Sequence, residues 1–168
     1  SVEPESDSQV KARLAIAADC PTGHVGVRVR TETGISNLVV FSVGALNETD
    51  ETEPNNTPEE ALDIEPGTTV NGVVADEDVD YVAVSLAAGD RIAVEVEALR
   101  LGGTLFDPKL RLFDPAGREL IAEDDTPLFR QDAGFVHVAE EKGTYRIAVS
   151  EATYGGNGNC RYRLHVGR

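Results

Sequence analysis

Glu51, Glu53 and Asn55 stand at every second position, and so do Asp76, Asp78 and Asp80. In extended backbone alternate side chains project to one side, so each triplet would offer its oxygens together. Residues 47–80 hold 12 Asp and Glu and no Lys or Arg. Such a stretch repels itself unless solvent or a cation neutralises it. With no Cys or His in the stretch, the donors suit a hard cation: Ca²⁺ takes about six to eight oxygens at roughly 2.3–2.6 Å, whereas zinc favours nitrogen and sulfur. An EF-hand is excluded, because after Asp76, Asp78 and Asp80 the sixth position is Tyr81 rather than Gly and the twelfth is Ala87 rather than Glu. Spacing alone leaves a solvated acidic linker open beside a calcium site.

The remaining reactive residue types form no recognisable catalytic set. His24, His137 and His165 are dispersed, with no HExxH, no GxSxG elbow and no phosphate loop. Alternation puts His137 between Val136 and Val138, and His165 between Leu164 and Val166, which predicts two surface histidines. Asp124-Asp125 is a candidate carboxylate pair for glycoside hydrolysis, although no cleft-lining aromatic accompanies it. Gly155-Gly156-Asn157-Gly158-Asn159 resembles a single β-roll nonapeptide, which cannot stack alone and reads as a hairpin loop. Cys20 and Cys160 form no CxxC, which excludes a zinc ribbon and thioredoxin-type chemistry; bridged or free, both states stay open. The expectation is a non-catalytic protein. An exported enzyme fragment with an acidic site is the alternative, and a carbohydrate-binding module is a third reading, weakened by the absence of Trp.

Those residues must be positioned by strands. Period-two alternation runs through Val10–Ile16, Val25–Val29 and Leu38–Val43, then recurs at Thr69–Val74, Tyr81–Leu86, Arg91–Ala98, Lys109–Phe113, Glu119–Ala122, Phe135–Val138, Thr144–Val149 and Cys160–Val166. Turn signals separate them, among them Ala88-Gly89-Asp90, Asp114-Pro115-Ala116-Gly117 and Glu141-Lys142-Gly143. The pattern predicts an all-β, antiparallel, jelly-roll-like sandwich. Its inward face should carry Leu86, Ile92, Val94, Val96, Leu110, Leu112, Phe135, Tyr145, Ile147 and Leu164. Residues 1–46 read as a partial immunoglobulin-like segment, 47–58 as an acidic linker and 59–168 as the sandwich. Thr57 and Pro58 could start one helical turn.

Composition narrows the partners. The chain has 168 residues and a net charge of −15. Such a charge repels phosphate backbones, so nucleic acid is an unexpected partner. No apolar stretch reaches the roughly 18 residues of a membrane span. The chain lacks an initiating Met and reads as a piece of a longer protein.

Several motifs in order resemble the bacterial pre-peptidase C-terminal domain. They are Glu51-Thr52-Glu53-Pro54-Asn55-Asn56-Thr57, Val70-Asn71-Gly72-Val73-Val74, Asp78-Val79-Asp80-Tyr81, Ala88-Gly89-Asp90, Leu110 to Gly117, Asp124-Asp125 and Gly143-Thr144-Tyr145-Arg146-Ile147-Ala148-Val149. Residues 8–46 are similar to the closing strands of a TIG/IPT-like immunoglobulin domain, a pairing similar to large exported proteins of planctomycete-type bacteria. The resemblance implies an exported, non-catalytic accessory module with a fold similar to the collagen-binding domains of clostridial collagenases. It implies Ca²⁺ held by Glu51, Glu53, Asn55, Asn56, Glu77 and Asp80, with Asn56 replacing an Asp and removing one ligand charge. The implied partners are other domains of the same chain and an extracellular polysaccharide or protein.

Overall fold

The computed structural model describes residues 2–6 and 9–168. Its strands are β1 (Val2–Ser6), β2 (Gln9–Ala12), β3 (Gly23–Val27), β4 (Val39–Val43), β5 (Asn47–Asp50), β6 (Leu62–Ile64), β7 (Thr68–Val73), β8 (Val79–Leu86), β9 (Arg91–Glu97), β10 (Pro108–Phe113), β11 (Glu119–Glu123), β12 (Gly134–Val138), β13 (Gly143–Glu151) and β14 (Arg161–Gly167). One short 3₁₀ turn, Leu99–Leu101, follows β9.

Two five-stranded sheets make the sandwich: sheet I in the order β11-β10-β13-β8-β6 and sheet II in the order β12-β9-β14-β7-β5. From β5 to β10 the chain changes sheet at every connection. Nine of the ten residues assigned inward are at most 3% exposed, and Phe135 is partly buried against them. Each such buried Leu, Ile or Val contributes about 1.5–3 kcal/mol by leaving water. Tyr145 enters the core because its hydroxyl donates to the Glu141 carbonyl at 3.1 Å, so no polar group is stranded.

Three features differ from the sequence reading. Asn47–Asp50, expected within a linker, pairs parallel with β7 at the edge of sheet II, and Leu62–Ile64 pairs parallel with β8 at the edge of sheet I. The sandwich is therefore antiparallel except for these two edges. Polar Asn47–Asp50 has no apolar alternation to mark a strand, since an edge strand needs only backbone pairing. The expected helical turn at 57–62 is a plain turn: the Glu60 N–H donates to the Thr57 carbonyl at 3.0 Å and β6 begins at Leu62. Finally, β1–β2 and β3–β4 form two separate antiparallel two-stranded sheets. The alternation there is real, yet Val2, Leu14, Ile16, Ile35 and Val39 are more than half exposed.

The β3–β4 hairpin sits against the outer face of sheet II. Glu97 of β9, 5% exposed, accepts from Ser42 Oγ at 3.1 Å and pairs with His24 Nε2. Arg163 of β14 donates to the Ser42 carbonyl at 2.8 Å and to Glu48 at 2.5 Å.

Candidate metal centre

One end of the sandwich brings residues 51–56 against the start of β8. The Glu51 N–H donates to the Asn71 carbonyl at 2.9 Å, continuing the β5–β7 pairing. The Glu51 carboxylate turns inward, where it accepts from the Val73 N–H at 2.7 Å and from the Tyr162 hydroxyl at 3.1 Å. Gly72 is required beneath it: a Cβ there would collide with the Tyr162 ring and the Glu51 carboxylate. The Glu53–Pro54 peptide is cis. Past it, Asn55 is buried, and its carbonyl accepts from the Tyr81 N–H at 2.9 Å. Asp78 braces the turn into β8 by accepting from the Ala75 and Val79 N–H groups, each at 3.0 Å.

Oxygens converge at this point. Carboxylate oxygens of Glu51, Glu53 and Asp80 all lie within 4.8 Å of one another. Asn55 and Asn56 turn their amide oxygens toward them. Asn55 Oδ1 stands 3.1 Å from Asn56 Oδ1, 3.2 Å from Glu53 Oε2 and 3.2 Å from Asp80 Oδ1. Asn56 Oδ1 stands 3.0 Å from Asp78 Oδ1 and 3.2 Å from Glu53 Oε2. Asp80 is fully buried, and its Oδ2 has no hydrogen-bond partner. The electrostatics agree: burial first, then the Glu51 charge, pushes the Asp80 carboxyl up to about 8. Burial raises Glu51 as well, and drives the Tyr162 hydroxyl well above its ordinary value.

A donor set of this kind fits calcium. Ligands about 2.4 Å from an ion in octahedral or pentagonal arrangement stand roughly 2.8–3.4 Å apart, the range seen between these oxygens. Turned over, the two amides would instead donate N–H bonds to the same acceptors. The site can thus be satisfied by amide protons or by a cation, but only the cation leaves Asp80 ionised at low cost.

Five of the six residues anticipated as ligands come together: Glu51, Glu53, Asn55, Asn56 and Asp80. Glu77 stands apart, exposed, with φ at 56° and its N–H donating to the Tyr154 carbonyl at 3.1 Å. Its place is taken by Asp78, whose membership was visible in the Asp78–Asp80 alternation; Asp76 is exposed and bridges to Gly155. Asp124 and Asp125 are exposed loop residues. Cys20 and Cys160 are both free thiols. Neither histidine read as a surface residue is free on the surface. His137 faces inward opposite Ile92, with its ring 5.6 Å from that of Tyr145. His165 does point outward, but the β3–β4 hairpin lies over that face; its Nδ1 is 2.9 Å from Thr69 Oγ1 and its Nε2 is 3.6 Å from Glu97.

Residues 78–151 match the family of the bacterial pre-peptidase C-terminal domain. Within that domain lie Asp78 and Asp80, whereas residues 51–56 come before it. No curated protein matches the chain. Among solved structures, the chain is similar to the pre-peptidase C-terminal domain of a collagenase from Bacillus anthracis, at 22% identity and a TM-score of 0.49, over 67% of this chain and 99% of that one. It is also similar to the Aeromonas hydrophila protein PliG, a periplasmic inhibitor of g-type lysozyme, at 14% identity and a TM-score of 0.50, over 73% of this chain and 98% of that one. The second likeness is one of fold.

Proposed function

We propose that the chain is a non-catalytic accessory module of an exported bacterial protein, and that Ca²⁺ fastens residues 51–56 to the pre-peptidase C-terminal sandwich. The observation that carries this reading is the fully buried Asp80 carboxylate, with one unpartnered oxygen, facing a ring of carboxylate and amide oxygens. Glu53, Asn55, Asn56 and Asp80 would hold the ion, with Glu51 and Asp78 beside them. Bound calcium supplies positive charge where the sequence has none. Glu51 and Asp78 keep their backbone bonds to Val73, Ala75 and Val79, and so hold the donors in position. No nucleophile or general base is poised at this cluster, so its chemistry is structural. The module would join neighbouring domains of a longer exported chain and present its faces to an extracellular polymer or protein.

The test is thermal unfolding in millimolar CaCl₂ and in chelator. Ligand at about 100 times Kd stabilises by roughly 2.7 kcal/mol. For a chain of this size that is roughly 5–10 °C in Tm. Glu53→Gln and Asp80→Asn should lose the shift, and magnesium should give less of it, since it demands a tighter octahedron. A wild-type midpoint that calcium does not move would refute the reading.

A further inference from the structure

The outer face of sheet I carries an arrangement that the metal centre does not use. Leu110, Leu112, Ile147, Val149, Val82 and Val84 point into the core, so the alternate positions of β10, β13 and β8 point out. The register aligns Arg111 with Ala148 and Tyr81 in one row, Phe113 with Arg146 and Ala83 in the next, and Lys109 with Ser150 and Val79 in the third. Small residues on the central strand β13 let the large side chains of its neighbours lean across. The Tyr81 and Phe113 rings come within 6.1 Å, tilted by 40°. The Arg111 guanidinium lies over Phe113 at 5.6 Å.

These cations are unusual for a chain of net charge −15. Salt bridges elsewhere engage Arg100, Arg118 and Arg163, but Lys109, Arg111 and Arg146 have no carboxylate within ion-pair distance among the described residues. Arg146 donates only to the Pro58 carbonyl, at 2.8 Å, and Arg111 Nε is buried without a partner. Acids on this face stand on the edge strands: Asp63 opposite Ala83 and Glu119 opposite Phe113. The result is a positive, aromatic strip along β10 and β13, about 13 Å long at roughly 3.4 Å per residue from Lys109 to Phe113, with acidic margins.

We infer that this strip is a docking surface for a carboxylated polysaccharide, a linear uronic-acid polymer lying along the strands. The inference specifies the extracellular polymer of the accessory-module reading and rests on that reading. Charge complementarity names the carboxylates, which Lys109, Arg111 and Arg146 can each receive. The paired rings name the sugar, because the C–H face of a pyranose packs on an aromatic ring as other apolar groups do. An acidic peptide is disfavoured, since β10 and β13 already have both edges paired and offer it no backbone bonds. Nucleic acid is disfavoured by the dense phosphate charge facing an acidic domain.

Affinity gel electrophoresis with hyaluronan, dextran and polyglutamate embedded in separate gels, at low salt, tests the surface. Hyaluronan should retard the wild-type chain and dextran should not. Arg111→Gln with Arg146→Gln should weaken hyaluronan retention about tenfold, as loss of two charge-assisted contacts implies. Tyr81→Ala with Phe113→Ala should weaken it comparably while preserving every charge; each variant is checked by circular dichroism. Arg111→Lys should keep part of the retention. No retardation by hyaluronan would overturn the inference, as would equal retardation by polyglutamate that the aromatic variant leaves unchanged. The calcium melt separates the two readings: a calcium shift without hyaluronan retention defeats only the docking surface, and retention without a calcium shift defeats only the metal centre.

Discussion

Glu97 should control how the β3–β4 hairpin is held as the pH falls. Burial alone would raise its pKa, but hydrogen bonds from His165, His24 and Ser42, with the His24 charge, outweigh that and bring it to about 2 from an ordinary 4.5. A carboxylate depressed on folding stabilises the native state above its unfolded pKa, and the contribution is lost as pH falls through the folded pKa. The window therefore runs from about pH 4.5 down to about pH 2. At roughly 1.4 kcal/mol per pH unit, the full effect is at most about 3 kcal/mol. The side chain of His24 is 39% exposed, and water screening of that partner lowers the figure to about 2 kcal/mol.

The assay is urea unfolding of the wild type and Glu97→Gln at intervals from pH 6 to pH 2. Glutamine imitates the protonated acid, so the two stability curves should be separated by about 2 kcal/mol at pH 6 and converge near pH 2. Other carboxylates titrate in both proteins and cancel in the difference. A gap that stays constant over this range, or widens on acidification, would refute the argument.

Gly72→Ala should destabilise the chain by about 1–3 kcal/mol, measured calorimetrically, because its new methyl group overlaps the Tyr162 ring and the Glu51 carboxylate. Asp132→Ala should cost about 3–5 kcal/mol in urea titration: this fully buried acid accepts from the Leu99 N–H at 2.8 Å and from Arg100 Nε at 2.5 Å, so its loss strands both donors. In hydrogen exchange, β1 and β2, whose residues are all exposed and which pair only with each other, should lose protection first, while β13 and β14 exchange last.

The sandwich was legible because its strands are half-buried, and half-burial writes itself as alternation: Leu110 and Leu112 inward, Lys109, Arg111 and Phe113 outward. Five ligand candidates were legible from the family-like order of motifs and from the every-second-residue spacing of oxygens. Three things were hidden for physical reasons. The Asn47–Asp50 strand buries no side chain, so nothing in its polarity departs from a linker. Glu77 could not be told from Asp78, because which of two adjacent acids faces the cluster depends on a left-handed residue in the turn, here Glu77 itself. The burial of His165 depends on the β3–β4 hairpin lying over an outward face, a tertiary contact that periodicity within one strand does not encode.

The acidic character of the chain also acquires a structural explanation. Much of it is spent on turns, where a carboxylate gathers backbone N–H groups that no strand satisfies. Asp114 accepts from the Ala116 and Arg118 N–H groups, Glu151 from those of Thr153 and Gly155, and Asp90 from that of Ala87. The same device operates at the metal centre, where Glu51 accepts from Val73, Glu53 from Asn55, and Asp78 from Ala75 and Val79. The difference there is density. Residues 51–58 leave sheet II, bond through the Asn55 carbonyl to β8, and reach sheet I again where Arg146 binds the Pro58 carbonyl. This strap ties the two sheets together, and it can follow that path only by bringing Glu51 and Glu53 against Asp80. Backbone donors satisfy Glu51, Glu53 and Asp78 individually, but none reaches Asp80 Oδ2. What the strap lacks is positive charge at one point, and a divalent cation supplies it without a change in the path of the chain.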